Sequence, residues 1–309
     1  MFQDIEGKIE RNERAPQDSD YLIRMDHGKV LLKEDGFLPT LAECGLSDTI
    51  FGKYGSFSVG GKTEADWTEN EDEGARLQYL LTYEGKAFYA LLVYRAASLF
   101  FAGDTKLEYK AMRTLFVSEE QGLHFAAATA CHLAVWYQEN RYCGHCGTMR
   151  IPASDERALI CPSCETRIYP AIAPVVIVGA LYEGKLLLTR YADPRGYRRH
   201  ALVAGFCEVG EALEDTVRRE VYEEAGLHVT NITYYKSQPW AFSQSLLAGF
   251  FCRAVDGKIT LNTDGLGELA EAVWMTPDEI EAEDNALALT WTMIRDFKAD
   301  PQKIMDIVS

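Results

Sequence analysis

The stretch from Gly205 to Leu227, GFCEVGEALEDTVRREVYEEAGL, constrains the fold of this chain more than any other. It is spaced as a loop, a helix and a second loop. Leu213, Val217 and Val221 recur at i, i+4 and i+8, which predicts a helix with one apolar face packed on a sheet. Glu220, Glu223 and Glu224 stand at i, i+3 and i+4 and gather three carboxylates on another patch of that helix. Like charges so close destabilise an isolated helix unless cations sit among them, and hard oxygen donors suit Mg2+ or Mn2+. Gly226 falls where a left-handed residue ends a helix, while Gly205 and Gly210 keep the preceding loop close to whatever binds there. The alternative is a solvated acidic helix face. That reading accounts for neither the two loop glycines nor Arg219 at its spacing.

The 309 residues leave room for two domains with ample cores. A formal charge of -16 argues against a general nucleic-acid binder, though not against an RNA end entering a small metal-lined pocket. The first residues, MFQDIEGKIERNERAP, have neither the apolar core nor the cleavage site of a signal peptide. The apolar runs Phe88 to Phe101 and Ala173 to Tyr182 are too short or too broken to span a bilayer. A cytoplasmic enzyme with no membrane partner is expected. Cys44, Cys131, Cys207 and Cys252 are scattered, which speaks against a secreted disulfide framework.

Residues 1–140 read as an α+β domain that ends in a helix. Strands are expected at Lys29–Leu32, Leu77–Thr82, Ala87–Tyr94 and Thr114–Val117, with a solvated acidic loop at Glu69–Gly74. From Glu120 to Asn140 the period becomes helical, with Leu123, Ala126, Ala130, Leu133 and Tyr137 as its stripe; His124 and His132 on this helix read as structural. In residues 141–169, Cys143 and Cys146 form one CxxC pair, Cys161 and Cys164 another, with fourteen residues between them. Two such knuckles set four thiolates at the corners of a tetrahedron, the geometry of a closed structural Zn2+ site, one ion per chain. A redox CxxC and an iron–sulfur site are the competing readings. Arg141, Arg150, Arg157 and Arg167 leave a nucleic-acid contact open. In residues 170–309, paired strands are expected at Ala173–Leu181 and Lys185–Thr189, joined by the turn Tyr182-Glu183-Gly184. Arg190, Arg195, Arg198, Arg199 and His200 form a basic cluster, either a phosphate aid or a solvated loop. Leu202 and Val203 lead as a strand into the glutamate stretch.

Gly205, Glu211, Arg219, Glu220, Val221, Glu223, Glu224, Gly226 and Leu227 fit the pattern G-x5-E-x7-R-E-U-x-E-E-x-G-U, with U aliphatic. This resembles the box of the Nudix hydrolases, which act on nucleoside diphosphates linked to another group. Ser237-Gln238-Pro239-Trp240-Ala241-Phe242-Ser243-Gln244-Ser245 resembles the SQPWPFPxS array of the NADH pyrophosphatase family, whose members carry a four-cysteine zinc ribbon ahead of the catalytic domain. Ala241 and Ser243 replace two prolines of that array, and Ala171 replaces the Arg that follows Tyr169-Pro170 in relatives.

The resemblance implies an N-terminal α+β domain, a zinc ribbon and a C-terminal Nudix α/β/α sandwich. It further implies hydrolysis of the diphosphate of NADH or NAD+ to nicotinamide mononucleotide and AMP, removal of NAD caps from RNA, and a homodimer. The carboxylates of Glu220, Glu223, Glu224 and Glu268, with the Ala204 carbonyl, would hold Mg2+ or Mn2+; Glu271 is the alternative to Glu268. Glu223 or Glu224 would act as base, and Arg219 with Glu211 would fix the loop. Tyr169, Phe206, Gln238, Pro239, Trp240, Ala241, Phe242, Ser243, Gln244 and Ser245 would meet substrate, the aromatic rings among them being equally readable as core. With two prolines missing, the array is expected to be freer than in relatives. The other readings are a broader hydrolase of ADP-ribose or diadenosine compounds, and a non-catalytic nucleotide sensor.

Overall fold

A computed structural model describes residues 9–10, 14–46, 50–51, 56–58, 74–94, 106–116, 121–192, 199–261, 265, 267–281 and 288–309. The acidic residues Glu69–Glu73 lie outside these, as do Arg195 and Arg198 of the basic cluster. The chain divides into two compact units between Ala171 and Ile172.

In the first unit, β1 (Ile9–Glu10), β2 (Tyr21–Ile23), β3 (Met25–Asp26), β4 (Lys29–Lys33), β5 (Ile50–Phe51), β6 (Ser56–Ser58), β7 (Gly74–Tyr83), β8 (Lys86–Tyr94) and β9 (Leu107–Ala111) precede the long helix α1 (Gln121–Glu139). Among the described residues they form one sheet ordered β2-β8-β7-β6-β5, with β1 on β7, and a second ordered β3-β4-β9. The two-residue period of a strand sorts β8 between two cores. Phe88 and Ala90 pack with the stripe of α1, while Tyr89 and Leu91 pack with Leu22, Leu41 and Leu77. Of the strand expected at Thr114–Val117, Val117 lies outside the described residues and Thr114–Phe116 instead belong to a 3-10 turn, Met112–Phe116, in which Leu115 is fully buried. A short apolar run carries no period long enough to separate the two. After α1, β10 (Ile151–Pro152), β11 (Leu159–Ile160) and β12 (Arg167–Ile168) form a small antiparallel sheet. Leu159 and Ile168 of that sheet join the α1 core.

The second unit is built from β13 (Ala173–Tyr182), β14 (Lys185–Tyr191), β15 (Val203–Phe206), α2 (Leu213–Ala225), β16 (Val229–Trp240), β17 (Ser245–Ala254), β18 (Leu269–Met275), α3 (Leu289–Ala299) and α4 (Pro301–Ile307). Its sheet runs β16-β17-β13-β14-β18, with β15 on β13; β13 and β17 are parallel and the remaining pairs antiparallel. Alternation along β13 explains both layers that cover it. Val176, Val178 and Ala180 pack with Val217, Val221 and Ala225 of α2, whereas Val175, Ile177 and Leu181 pack with Leu289, Met293 and Phe297 of α3 and Ile304 of α4. Each large aliphatic side chain removed from water in this way contributes roughly 1.5–3 kcal/mol. The result is the expected α/β/α sandwich. Glu183 and Gly184 both take positive φ, 46° and 77°, in the turn between β13 and β14. The same tetrapeptide, Tyr83-Glu84-Gly85-Lys86, turns β7 into β8 with φ of 47° and 79° at its centre.

Candidate active site

The glutamate stretch lies where it was expected, with β15 feeding a tight loop and the loop feeding α2. Val203 faces the α2 core, so Gly205, two residues on, faces α2 as well. A β-carbon at Gly205 would fall on the Glu220 carboxyl. The absence of a side chain here therefore serves the neighbouring carboxylate, a more specific role than loop closeness. At the other end, Gly226 has φ of 68° and donates its N–H to the Tyr222 carbonyl at 2.8 Å, while a side chain there would strike Thr260.

Arg219 is the hub. Its Nε and one terminal nitrogen donate to the two oxygens of Glu211 at 2.7 and 3.0 Å, the bidentate fork of a charge-assisted pair. Its other terminal nitrogen donates to Glu220 at 2.7 Å and Glu223 at 3.0 Å. A fifth bond reaches the Phe206 carbonyl at 2.9 Å, so the guanidinium ties strand, loop and helix together. Glu211 also accepts from the Glu208 N–H at 3.1 Å and from the hydroxyl of buried Thr216 at 2.9 Å. The hydrogen bond from Arg219, followed by those from Glu208 and Thr216, holds the Glu211 carboxyl down at about 2. Thr216 has no fixed place in the sequence pattern and escaped the sequence reading.

The carboxylates differ in exposure. Glu224 is buried, Glu220 nearly so, and the Glu223 side chain is 38% exposed. Burial raises the Glu220 carboxyl, Arg219 opposes the rise, and the charges of Glu223 and Glu268 add to it. The Tyr191 hydroxyl is pushed up to about 12, first by burial and then by the charges of Glu224, Glu268 and Glu220. Glu268, more than forty positions from the helix, thus belongs to the same electrostatic cluster. Glu271 turns elsewhere, to Arg190 at 3.2 Å and towards His200 at 3.9 Å. The Glu220 carboxyl over Gly205, with the carboxylates of Glu223 and Glu268 acting on it, is a set of hard oxygen donors of the kind that suits a divalent cation. Arg219 already sets one positive charge between Glu220 and Glu223.

The four cysteines are the one group among the described residues whose ligand atoms all lie within 4.8 Å of one another. Sulfur–sulfur distances of 3.5, 3.6 and 3.7 Å compare with the roughly 3.8 Å edge of a tetrahedron built on ~2.3 Å Zn–S bonds. The two knuckles repeat one another bond for bond. The Cys143 N–H reaches the Thr148 carbonyl as that of Cys161 reaches Thr166, and the Gly147 N–H returns to Cys143 as that of Glu165 returns to Cys161. Gly147 and Glu165 both take positive φ. The Thr166 hydroxyl lies 3.3 Å from Cys143 and 3.1 Å from Cys164, and with the N–H groups of Cys146 and His145 it draws the Cys143 thiol down to about 5. A thiol held so readily as thiolate suits a metal ligand.

The family model for the NUDIX domain matches residues 172–297, and that for the NADH pyrophosphatase zinc ribbon domain matches residues 138–169. This chain therefore carries a NUDIX domain preceded by a zinc ribbon of the NADH pyrophosphatase kind. The proteins called NAD-capped RNA hydrolase NudC in Salmonella heidelberg (strain SL476) and in Salmonella typhi are each 40% identical to it over 164 residues, 53% of this chain and 62% of the relative. The chain thus spans 62% of the length of those relatives. Among solved structures, a NUDIX hydrolase from Nitrosomonas europaea aligns with 53% of this chain and 93% of its own at 23% identity, with a TM-score of 0.45.

Within the Nudix domain, the array Ser237–Ser245 is the tip of the β16–β17 hairpin. Trp240 pairs with Ser245 across a 3-10 turn, Ala241–Ser243, closed by left-handed Gln244. The expectation of a looser loop meets a counterweight in Ser243, whose hydroxyl bonds that of Ser245 at 2.8 Å. Gln244 also anchors the turn by accepting from the Ala173 N–H at 2.9 Å. Gln238, Ala241 and Ser245 are buried, while Pro239 and Ser243 are exposed and Trp240, Phe242 and Gln244 lie between. The Trp240 and Phe242 rings meet edge to face at 5.1 Å. Register sets Phe206 near this tip, because Val175 pairs with Phe206 on one side and Leu247 on the other, and Leu247 pairs with Gln238. Phe206 is 53% exposed.

In the first unit, Tyr169 is exposed and donates to Glu156 at 2.9 Å. The ribbon arginines turn inward on their own unit. Arg167 pairs with Asp155 and Glu156, Arg157 donates to the Leu80 carbonyl at 2.6 Å, Arg150 to the Tyr142 carbonyl at 2.6 Å, and Arg141 lies over the Tyr142 ring. The two α1 histidines have structural contacts, His124 against Phe37 and His132 on the Ala171 carbonyl.

Proposed function

We propose that this chain hydrolyses the diphosphate of NADH and NAD+ to nicotinamide mononucleotide and AMP, and removes NAD from the 5′ ends of capped RNA. The observation that carries this reading is the fit of the Glu220 carboxyl into the space above Gly205, with the charges of Glu223 and Glu268 acting on it, in a domain that also carries the Ser237–Ser245 hairpin. The name borne by the 40% identical relatives supports the substrate class. The division into residues 1–140, 141–169 and 170–309, a homodimer and a cytoplasmic location complete the proposal. Among the described residues no helix is long and apolar enough to cross a membrane.

In this mechanism Glu220, Glu224 and Glu268, with the Ala204 carbonyl and Glu223, would hold Mg2+ or Mn2+. Such an ion, when bound, would supply charge neutralisation for the diphosphate and acidify a water molecule for attack on phosphorus. Arg219, fixed by Glu211, keeps Glu220 and Glu223 in place. Glu223 is the more exposed of the two candidate bases and is the one water reaches, so it takes the proton, with Glu224 as alternative. Phe206, Trp240 and Phe242 offer ring faces to nicotinamide or adenine, and Gln238, Pro239, Ala241, Ser243, Gln244 and Ser245 shape the hairpin that presents them. Tyr169 is retained as a proposed substrate residue on the resemblance alone. The test is a product screen of the purified chain with Mg2+ or Mn2+ against NADH, NAD+, ADP-ribose and NAD-capped RNA. Nicotinamide mononucleotide and AMP from the first two are the expected products. Turnover of ADP-ribose or diadenosine compounds alone would transfer the assignment to a broader diphosphate hydrolase, the reading that Ala241 and Ser243 favour.

A further inference from the structure

On the face of the Nudix sheet covered by α3, the structure encloses a cavity of about 210 Å3 with an aliphatic floor. Arg190 of β14, Arg199 and His200 of the segment entering β15, and Trp291 of α3 line its walls, together with Glu279 and Glu281. The neighbour of Arg190, Tyr191, feels the charges of Glu220, Glu224 and Glu268. Leu188 faces the α3 core, and alternation along β14 carries Arg190 to that same face, away from the glutamates of α2.

The polar groups that line the cavity include donors suited to a ligand with an anionic end. Arg190 donates to His200 Nε2 at 3.1 Å, so the neutral His200 ring carries its proton on Nδ1 as a second donor. The Arg190 Nε–H is buried and has no hydrogen-bond partner among the described residues, although Glu271 balances the charge of the guanidinium. Arg199 brings a second planar fork, the geometry that matches phosphate. Glu279 is drawn back by the Thr276 N–H and hydroxyl at 2.8 and 2.9 Å, which leaves Glu281 as an acceptor for hydroxyl groups. Trp291 adds a flat apolar face. The volume falls below the roughly 300–1,000 Å3 of pockets that enclose a whole drug-sized ligand, so a dinucleotide does not fit and a mononucleotide fits with part of it at the mouth.

We propose that this cavity is a second site, separate from the glutamate cluster, that binds a nucleoside monophosphate. The phosphate meets Arg199, Arg190 and His200, the base lies on Trp291, and the ribose hydroxyls donate to Glu281. Isothermal titration calorimetry on the full chain, freed of divalent cations so that no turnover occurs, tests it with AMP, adenosine and inorganic phosphate. AMP is expected to bind at least tenfold more tightly than either fragment. Arg199→Gln, at an exposed position, should weaken AMP about tenfold, and Trp291→Phe should weaken it less, with melting curves verifying both folds. Glu223→Gln should leave AMP binding unchanged. No measurable binding, AMP no tighter than phosphate, or binding lost in Glu223→Gln but kept in Arg199→Gln would each overturn the proposal.

Discussion

Gly205 lies directly beneath Glu220, so that the side chain the strand omits is replaced by a carboxylate from the helix. Gly205→Ala is therefore expected to displace Glu220 rather than merely stiffen a loop. Turnover should fall by roughly a hundredfold, about 2.7 kcal/mol of transition-state stabilisation, while overpacking lowers stability by about 1–3 kcal/mol. Gly179→Ala, which drives a β-carbon into the Phe251 ring, is the matched control. It should lower the melting temperature and leave the kcat of the folded fraction intact.

Removing the helix carboxylates one at a time separates metal site from general charge. Glu223→Gln and Glu224→Gln should each reduce turnover by roughly a hundredfold or more with the fold preserved, whereas Glu214→Gln in the first turn of α2 should do little. Glu268→Gln should behave like the first pair and Glu271→Gln like the last, because Glu268 shares the field of Glu220 and Glu271 serves Arg190. Equal losses at all positions in a steady-state assay would refute the assignment.

The Arg219–Glu211 fork carries a pH signature. The Glu211 pKa is depressed to about 2 in the folded chain, against about 4.3 for a free glutamate. Its stabilising contribution is thus complete above the unfolded value and disappears as the pH falls from about 4.3 through about 2. Melting temperatures of the wild type and Glu211→Gln should differ at pH 7 and converge only as the pH falls from about 4.3 to about 2. A gap that stays constant across this range would show that the fork is not the source.

Metal analysis should give about one Zn per chain. Cys161→Ser should cost 2 kcal/mol or more, a fall of about 4–8 °C in melting temperature, with little change in turnover per folded chain. Iron with visible absorption in place of zinc would contradict the ribbon geometry. Thr166→Val should weaken zinc retention against a chelator, since it removes the hydroxyl shared by Cys143 and Cys164.

Specificity is expected to reside in the hairpin tip. The chain should cleave NADH yet discriminate less sharply against ADP-ribose than proline-bearing relatives, tempered by the bond between Ser243 and Ser245. Ala241→Pro with Ser243→Pro should sharpen the preference through KM, whereas Ser243→Ala should blunt it further. The measurement is kcat/KM for both substrates in all three proteins, and an unchanged ratio would exonerate the tip.

What could be read from the sequence follows the range of the interaction. The α2 carboxylates, its apolar face and Gly226 were legible because a helix of period 3.6 turns spacing directly into geometry. The two CxxC pairs were legible because thiolate chemistry admits few geometries. Thr216 and Thr166 were not, since a hydroxyl gains its meaning only when a loop brings an acceptor to it. The purpose of Gly205 depends on a helix that follows it in the chain, and the pairing of Glu271 with Arg190 depends on the register of two strands. The turn at Met112–Phe116 was misread because its apolar run is too short for either period to repeat and show itself.

The parallel pairing of β13 with β17 also dictates when the chemistry comes into being during synthesis. Ala173 waits for Ser245, more than seventy positions later, and α2 lies wholly inside that interval. Closing so long a loop comes late, after the local turns and helices have formed. A ribosome therefore releases the four cysteines and every box glutamate well before the strand that completes their platform. A nascent chain halted short of β17 holds the box glutamates without Glu268 and without a finished sheet beneath them, so the glutamate cluster comes together only in the completed domain.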